Sequence, residues 1–149
     1  MASSQPAVAI QGKKDDGKIV KVVKTDAEWK KILKPMAFDV LRKHGTERAF
    51  TGPYHDSKKK GSYVCAGCGL ELFKSDNKFD SGTGWPSFYQ PANAKHVGST
   101  EDRSYGSVRT EVHCARCDGH LGHVFDDGPK PTGLRYCING WALTFVLSK

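Results

Sequence analysis

The apolar residues of the first third of the chain follow a helical spacing. Trp29 and Leu33 lie one helical turn apart, and Thr25 and Glu28 precede them as a capping box, in which the threonine hydroxyl accepts from a backbone N–H at the helix start. A second short helix is predicted over residues 35–45, because it opens on proline and closes on glycine. We expect both helices to cover the core.

From residue 62 onward the pattern changes to short alternating runs separated by glycine-rich turns, which is typical of antiparallel strands. A glycine-rich loop with a tryptophan occupies residues 79–88. Strands are predicted over residues 63–65, 70–73, 105–113, 122–125, 134–138 and 141–147. The pattern therefore predicts a mainly β domain over residues 21–149, preceded by a flexible basic arm over residues 1–20.

Composition and charge narrow the class of protein. The chain has 149 residues, 38% apolar and 26% charged, as expected for one globular domain. The net charge of +7 comes from an excess of Lys and Arg in residues 1–60, which we interpret as a solvated surface rather than a nucleic-acid site. No apolar run approaches the ~18 residues that a membrane span needs, and the first 17 residues lack the core of a secretory signal. We expect a cytoplasmic monomer with no membrane partner.

Four of the five cysteines form two C-x-x-C pairs, Cys65 with Cys68 and Cys114 with Cys117. Each pair lies in a tight turn between predicted strands, and two such turns supply the four thiolates of a tetrahedral zinc site. We predict one structural zinc ion with no open position for catalysis. The alternative is a redox C-x-x-C, which usually begins a helix in a βαβ setting that neither pair shows.

The fifth cysteine, Cys137, lies in a predicted strand whose alternation places Arg135 and Asn139 on the same face. A neighbouring positive charge lowers a thiol pKa, so Arg135 favours a reactive thiolate. His120 and His123 precede it and offer a general acid or base. Two alternatives remain open: a buried cysteine that acts as a small hydrophobe, and a second metal bound by His120, His123 and Cys137.

Four stretches together resemble one family. They are C-A-G-C-G-L-E-L-F (65–73), F-D-S-G-T-G-W-P-S-F (79–88), R-T-E-V-H-C-A-R-C-D-G-H-L-G-H-V-F-D-D-G-P (109–129) and G-L-R-Y-C-I-N-G (133–140). They resemble the B-type methionine sulfoxide reductases over about residues 25–147. Enzymes of this type repair one of the two sulfoxide epimers. The resemblance implies two antiparallel β-sheets, structural zinc and repair of methionine-R-sulfoxide in oxidised proteins.

The resemblance also implies roles for individual residues. Cys137 attacks the sulfoxide sulfur and becomes a sulfenic acid, and His120 and His123 protonate the departing oxygen. Trp85 packs on the substrate methyl group. Three further matching residues support the histidines, a bound water and the thiolate: Asn139, Arg135 and Asp127.

One position departs from the family pattern. Many members carry a resolving cysteine two residues before the tryptophan, where this chain has Thr83. We therefore expect no disulfide within the chain after turnover. An external thiol, such as thioredoxin, glutathione or glutaredoxin, would reduce the sulfenic acid directly.

Two functions of other classes compete with this interpretation. A zinc module that only binds a protein partner would not need Trp85, both histidines and Cys137 together. A zinc-ribbon nucleic-acid binder is favoured only by the basic N-terminal region.

Overall fold

A computed structural model of the protein describes residues 19–103 and 108–147. The basic arm predicted over residues 1–20 lies almost wholly outside the described residues, so the division at residue 21 stays a prediction. In the described part of the chain, no helix has the length and apolar character that a bilayer crossing requires.

Two helices form where their sequence signals predict them. Helix α1 spans Asp26–Ile32 and helix α2 spans Pro35–Lys43. The Glu28 N–H donates to the Thr25 hydroxyl at 3.2 Å, and the Thr25 N–H donates to the Glu28 carboxylate at 2.7 Å, which confirms the capping box. Helix α2 ends two residues before the predicted glycine, because His44 takes the left-handed cap conformation with φ 58°.

Within residues 19–103 and 108–147, nine strands form two sheets, and every pairing is antiparallel. Their bounds are β1 Gly61–Cys65, β2 Glu71–Lys74, β3 Lys78–Phe79, β4 Ser87–Phe88, β5 Val97–Asp102, β6 Arg109–Cys114, β7 His120–Phe125, β8 Arg135–Ile138 and β9 Leu143–Leu147. The smaller sheet has the order β2-β1-β9 and the larger has the order β3-β4-β8-β7-β6-β5. The predicted fold class is confirmed.

The two sheets meet through a cluster of fully buried aromatic rings. Tyr63 and Phe73 come from the smaller sheet and Phe88 comes from the larger one. The Phe73 and Phe88 rings stack with centroids 4.4 Å apart, and Tyr63 meets Phe88 edge-on at 5.3 Å. Trp29 and Leu41 of the helices are also buried, so the helices cover this core as predicted.

The observed strands differ from the predicted ones in several places. Strands β3 and β4 form at the two ends of the segment predicted as a glycine-rich loop, and β7 begins at His120 rather than at residue 122. Strand β6 begins at Arg109 rather than at residue 105, and residues 104–107 lie outside the described part. Strand β9 begins at Leu143, because Gly140–Ala142 forms a 3-10 turn. Strand β5 was missed because its sequence is polar and largely exposed, as an edge strand allows.

The pairing of β7 with β8 requires a glycine at position 122. Gly122 lies opposite Ile138, and a β-carbon at Gly122 would come 2.1 Å from the Cys137 carbonyl oxygen. That oxygen belongs to the backbone of a paired strand and cannot move aside. Because Gly122 has no side chain, β7 and β8 can lie close together beside Cys137.

We predict that Gly122→Ala lowers the free energy of unfolding by about 1–3 kcal/mol, because the added methyl group overpacks the β7–β8 pair. Urea unfolding would measure the change. Gly98→Ala in β5 is the matched control: the three atoms nearest to its β-carbon would all belong to the ring of His113, a side chain that can rotate away. Equal losses in the two variants would contradict the explanation.

Candidate functional site

The four paired cysteines converge on one point between the two sheets. Cys65 ends β1 and Cys114 ends β6, and each begins a turn of the same form. The Gly69 N–H donates to the Cys65 carbonyl and the Asp118 N–H donates to the Cys114 carbonyl, both at 2.9 Å. Gly69 and Asp118 both have positive φ. Asp118 therefore occupies the same position in the second turn as Gly69 does in the first.

The sulfur atoms of the cluster have the spacing of a tetrahedral metal site. Cys65 Sγ lies 3.7 Å from Cys117 Sγ, Cys68 Sγ lies 3.4 Å from Cys114 Sγ, and all four lie within 4.8 Å of one another. Zinc–sulfur bonds of ~2.3 Å would place the sulfurs about 3.8 Å apart, so the cluster fits the ion with small adjustments. These four cysteines can hold a metal ion.

Cys137 lies in the middle of the larger sheet, within β8 and between β4 and β7. Its register partners are Ser87 in β4 and His123 in β7. Directly opposed residues in an antiparallel pair project to the same face of the sheet. The fold thus brings together the cysteine and one of the histidines that the sequence singles out.

The charges around Cys137 do not make it a resting thiolate. Burial raises the pKa of the Cys137 thiol above its usual value, while the positive charge of Arg135 and a hydrogen bond with Thr83 act in the opposite direction. Arg135 does lower the thiol pKa, but the desolvation of the half-buried sulfur is the larger effect.

Arg135 is held by an acidic and an aromatic partner. Its guanidinium group forms two hydrogen bonds to the Asp127 carboxylate, at 2.8 and 3.1 Å. It also lies over the Phe125 ring, 4.4 Å from the centroid. Hydrogen bonding to Asp127 raises the pKa of Arg135, so its charge is fixed beside the thiol. Asp127 thus holds Arg135 in place. Among the described residues, no hydrogen bond or ion pair joins Asp127 to either histidine.

Each histidine of β7 is paired with a carboxylate, one from the neighbouring strand β6 and one from the edge strand β5. The His120 Nδ1–H donates to Glu111 Oε2 at 2.6 Å, and the His123 Nε2–H donates to Asp102 Oδ2 at 2.8 Å. The two imidazole rings meet edge-on, with centroids 5.6 Å apart. Burial lowers the pKa of His120, although its hydrogen bond to Glu111 opposes the shift, so the free protein favours a neutral His120.

Sequence reasoning missed both carboxylates. The carboxylate that the resemblance implies is Asp127, whereas Glu111 and Asp102 come from β6 and β5. The available signal was the position of Glu111 in the alternating strand that enters the second cysteine turn. Asp102 gave no such signal, because β5 itself was not predicted.

Asn139 lies just beyond the end of β8 and is 3% exposed, whereas Cys137 is half-buried. Its Nδ2 group donates to the Leu121 carbonyl at 3.0 Å, and its Oδ1 atom accepts from the Glu47 N–H at 2.9 Å. Leu121 lies between the two histidines in sequence. Asn139 therefore ties the strand that carries the histidines to the loop before β1.

Glu47 is a third acidic residue of the site that the sequence did not reveal, after Glu111 and Asp102. It is 1% exposed, and its backbone carbonyl accepts from Trp85 Nε1 at 2.9 Å. Its Oε1 atom accepts from the Trp141 N–H at 2.9 Å, and burial raises the pKa of its carboxyl group. Through these contacts and that with Asn139, one buried residue fixes the indole of Trp85 relative to the end of β8.

Comparison with known proteins agrees with this arrangement. Residues 33–147 match the SelR domain family.

Three curated relatives carry the name peptide methionine sulfoxide reductase MsrB. The protein from Agrobacterium fabrum is 57% identical over 125 residues, which cover 84% of this chain and 93% of that protein. The one from Bradyrhizobium diazoefficiens is 59% identical over 83% of this chain and 88% of its own length. The one from Leptospira interrogans is 56% identical over 83% of this chain and 95% of its own length. The chain belongs to the SelR domain family, as a member of the MsrB group of peptide methionine sulfoxide reductases.

Proposed function

We propose that the protein repairs oxidised proteins by reducing methionine-R-sulfoxide to methionine, with Cys137 as the nucleophile. The observation that carries the proposal is the register of β7 and β8, which sets Cys137 directly opposite His123. The pairing of both histidines with carboxylates supports it further, since such pairs orient an imidazole for proton transfer.

In the proposed reaction the Cys137 sulfur attacks the electrophilic sulfur of the sulfoxide. The S–O bond of the substrate breaks, and its oxygen ends on the Cys137 sulfur as a sulfenic acid. The substrate sulfur gains two electrons and leaves as methionine, while the cysteine sulfur loses two. The thiol proton remains in the product, so the step needs no further reactant.

The directions of the pKa shifts in the free protein are consistent with this transfer of the thiol proton. Cys137 rests as a thiol and His120 as a neutral imidazole, so the reaction would begin with its proton on sulfur. His123 opposes Cys137 in register, and we assign to it the role of taking that proton and delivering it to the sulfoxide oxygen. His120, held by Glu111, packs edge-on against His123 and supports the orientation of its ring.

Three further residues complete the proposed site. Trp85 offers its ring to the substrate methyl group, and its anchored Nε1 keeps the ring in one position. Arg135, fixed by Asp127, favours the negative charge that develops on the attacking sulfur. Asn139 holds the backbone between the two histidines.

Recycling is proposed to use an external thiol. The position of Thr83 supports this, because Thr83 lies near enough to Cys137 to lower the pKa of its thiol, and many family members carry a resolving cysteine at this position. The other four sulfurs lie together in the separate cluster. Two equivalents of a thiol, or one dithiol such as thioredoxin, would return Cys137 to a thiol with release of water and a disulfide.

The four-cysteine cluster is proposed to hold one structural zinc ion. Four thiolates leave a tetrahedral ion no open position, so the ion would supply stability and no chemistry to the reaction. Cys65, Cys68, Cys114 and Cys117 would bind it, and the Gly67 N–H already donates to Cys65 Sγ at 3.4 Å.

We predict that Cys137→Ser lowers the rate of methionine-R-sulfoxide reduction by at least about 10³-fold, because a hydroxyl cannot replace the attacking sulfur. Dithiothreitol-driven formation of methionine from each sulfoxide epimer, followed by chromatography, would measure it. The melting temperature and zinc content of the variant should match those of the wild type. A variant that still reduces the R epimer at the wild-type rate would disprove the proposal.

We predict that Thr83→Cys creates an intrachain disulfide after one equivalent of substrate, because residue 83 already contacts Cys137. Mass spectrometry of the alkylated protein would locate the disulfide. Thr83→Ser is the matched control and should instead give a sulfenic acid that dimedone traps, as should the wild type. A disulfide between Cys137 and any other cysteine of the wild type would contradict recycling by an external thiol.

We predict one zinc ion per wild-type chain and a largely unfolded Cys68→Ser variant. Structural zinc contributes roughly 10–16 kcal/mol of apparent binding free energy, which is comparable to or larger than the net stability of a domain. Elemental analysis and circular dichroism would measure both. Cys137→Ser removes a sulfur outside the cluster and should keep its zinc. A folded, zinc-free Cys68→Ser protein would overturn the structural role.

A further inference from the structure

Three side chains from three different elements converge next to the proposed catalytic site, and one of them is His120. His44 caps helix α2, Glu111 lies in β6, and His120 begins β7. His44 Nε2 lies 3.3 Å from Glu111 Oε2, His120 Nδ1 lies 2.6 Å from the same oxygen, and the three ligand atoms lie within 4.8 Å of one another. From this geometry we infer a binding site for a divalent transition-metal ion, distinct from the four-cysteine cluster.

The donor set has the chemistry of such a site. Two imidazoles and one carboxylate form a common zinc ligand set, and imidazole also suits Cu²⁺, Ni²⁺ and Co²⁺. Tetrahedral ion–ligand bonds of 2.0–2.2 Å would place the ligand atoms about 3.3–3.6 Å apart. The His44–Glu111 pair already has that spacing. The His120–Glu111 pair must widen slightly as the ion displaces the proton between them.

The surroundings favour binding over a chance contact. The Thr100 hydroxyl donates to Glu111 Oε1 at 3.1 Å, which turns the other carboxylate oxygen toward the histidines. The left-handed backbone of His44 ends helix α2 and carries its ring to within 5.1 Å of the His120 ring. The side chain of His44 is 68% exposed, so an ion can enter from solvent and complete its coordination with water.

This grouping differs from the second metal site considered from the sequence. Among residues 19–103 and 108–147, His120 joins His44 and Glu111 in a potential ligand set, and His123 and Cys137 belong to no such set. His44 was not a candidate because it is 76 positions from His120 in the chain, and only the packing of α2 on β7 brings them together.

Occupancy of this site would inhibit the reductase, and this part of the inference rests on the proposed function. An ion on His120 Nδ1 replaces the hydrogen bond to Glu111 that orients the ring against His123. It also adds positive charge beside the imidazole that must accept the thiol proton. The ion would therefore slow the oxygen-transfer step while the four-cysteine cluster stays intact.

The test uses the full-length protein without an affinity tag, pre-reduced and freed of thiol, with Ni²⁺ as the probe. Isothermal titration calorimetry should detect one bound Ni²⁺ per wild-type chain. His44→Gln should weaken that binding by about tenfold or more, because one of three ligands is lost. His55→Gln, which removes a histidine outside the set, is the matched control and should bind as the wild type does.

Activity is measured in a single turnover, as methionine formed by the pre-reduced protein, so that no thiol chelates the probe. Without Ni²⁺, His44→Gln should turn over at the wild-type rate. With Ni²⁺, inhibition of the wild type should follow the binding curve, and its midpoint in His44→Gln should shift by about tenfold. Chelation of the Ni²⁺ should restore the rate.

The possible failures are distinguishable. Absence of Ni²⁺ binding, or equal binding by wild type and His44→Gln, would overturn the site. Binding without a change in rate would overturn its inhibitory role. A wild type that forms no methionine even without Ni²⁺ would instead refute the proposed function, and the calorimetric result would still decide the metal site.

Discussion

The convergence of four sulfurs at the junction of the two sheets is the constraint on which the rest of this fold depends. Every strand in the described part of the chain has between two and six residues, too few to fix its own arrangement. The cluster joins the turn after β1 in one sheet to the turn after β6 in the other. The helices are attached to the same point, because Arg42 donates to the Cys117 carbonyl at 2.8 Å and Trp29 packs against Gly67.

The cluster also determines where the reactive face begins. Only two residues separate Cys117 from His120, so the second cysteine turn leads directly into the strand that carries both histidines. The position of β7 then places β8 and Cys137 by register, with Gly122 permitting the close approach. Sulfurs that take no part in the proposed reaction thereby position the groups that do.

Local signals in the sequence were sufficient for the helices, the cysteine turns and most strands. The capping box, Pro35 and the two C-x-x-C turns act within a few residues, so their structures follow from their own chemistry. Partners brought together by sheet order were not predictable in this way. Glu111, Asp102, Glu47 and His44 all contact the site from distant parts of the chain, and the balance between burial and charge at Cys137 depends on packing that no pattern reveals.

In the proposed reaction, the anchored indole of Trp85 bears on how the two sulfoxide epimers are distinguished. Its Nε1 is hydrogen-bonded to the main chain at Glu47, a residue that is itself wholly enclosed. A wall of this kind cannot swing to accommodate a substituent presented from the opposite side. In the proposed reaction, therefore, the handedness of the sulfur centre would be sensed by steric exclusion against a stationary surface, with no closing movement needed to tell one stereoisomer from the other.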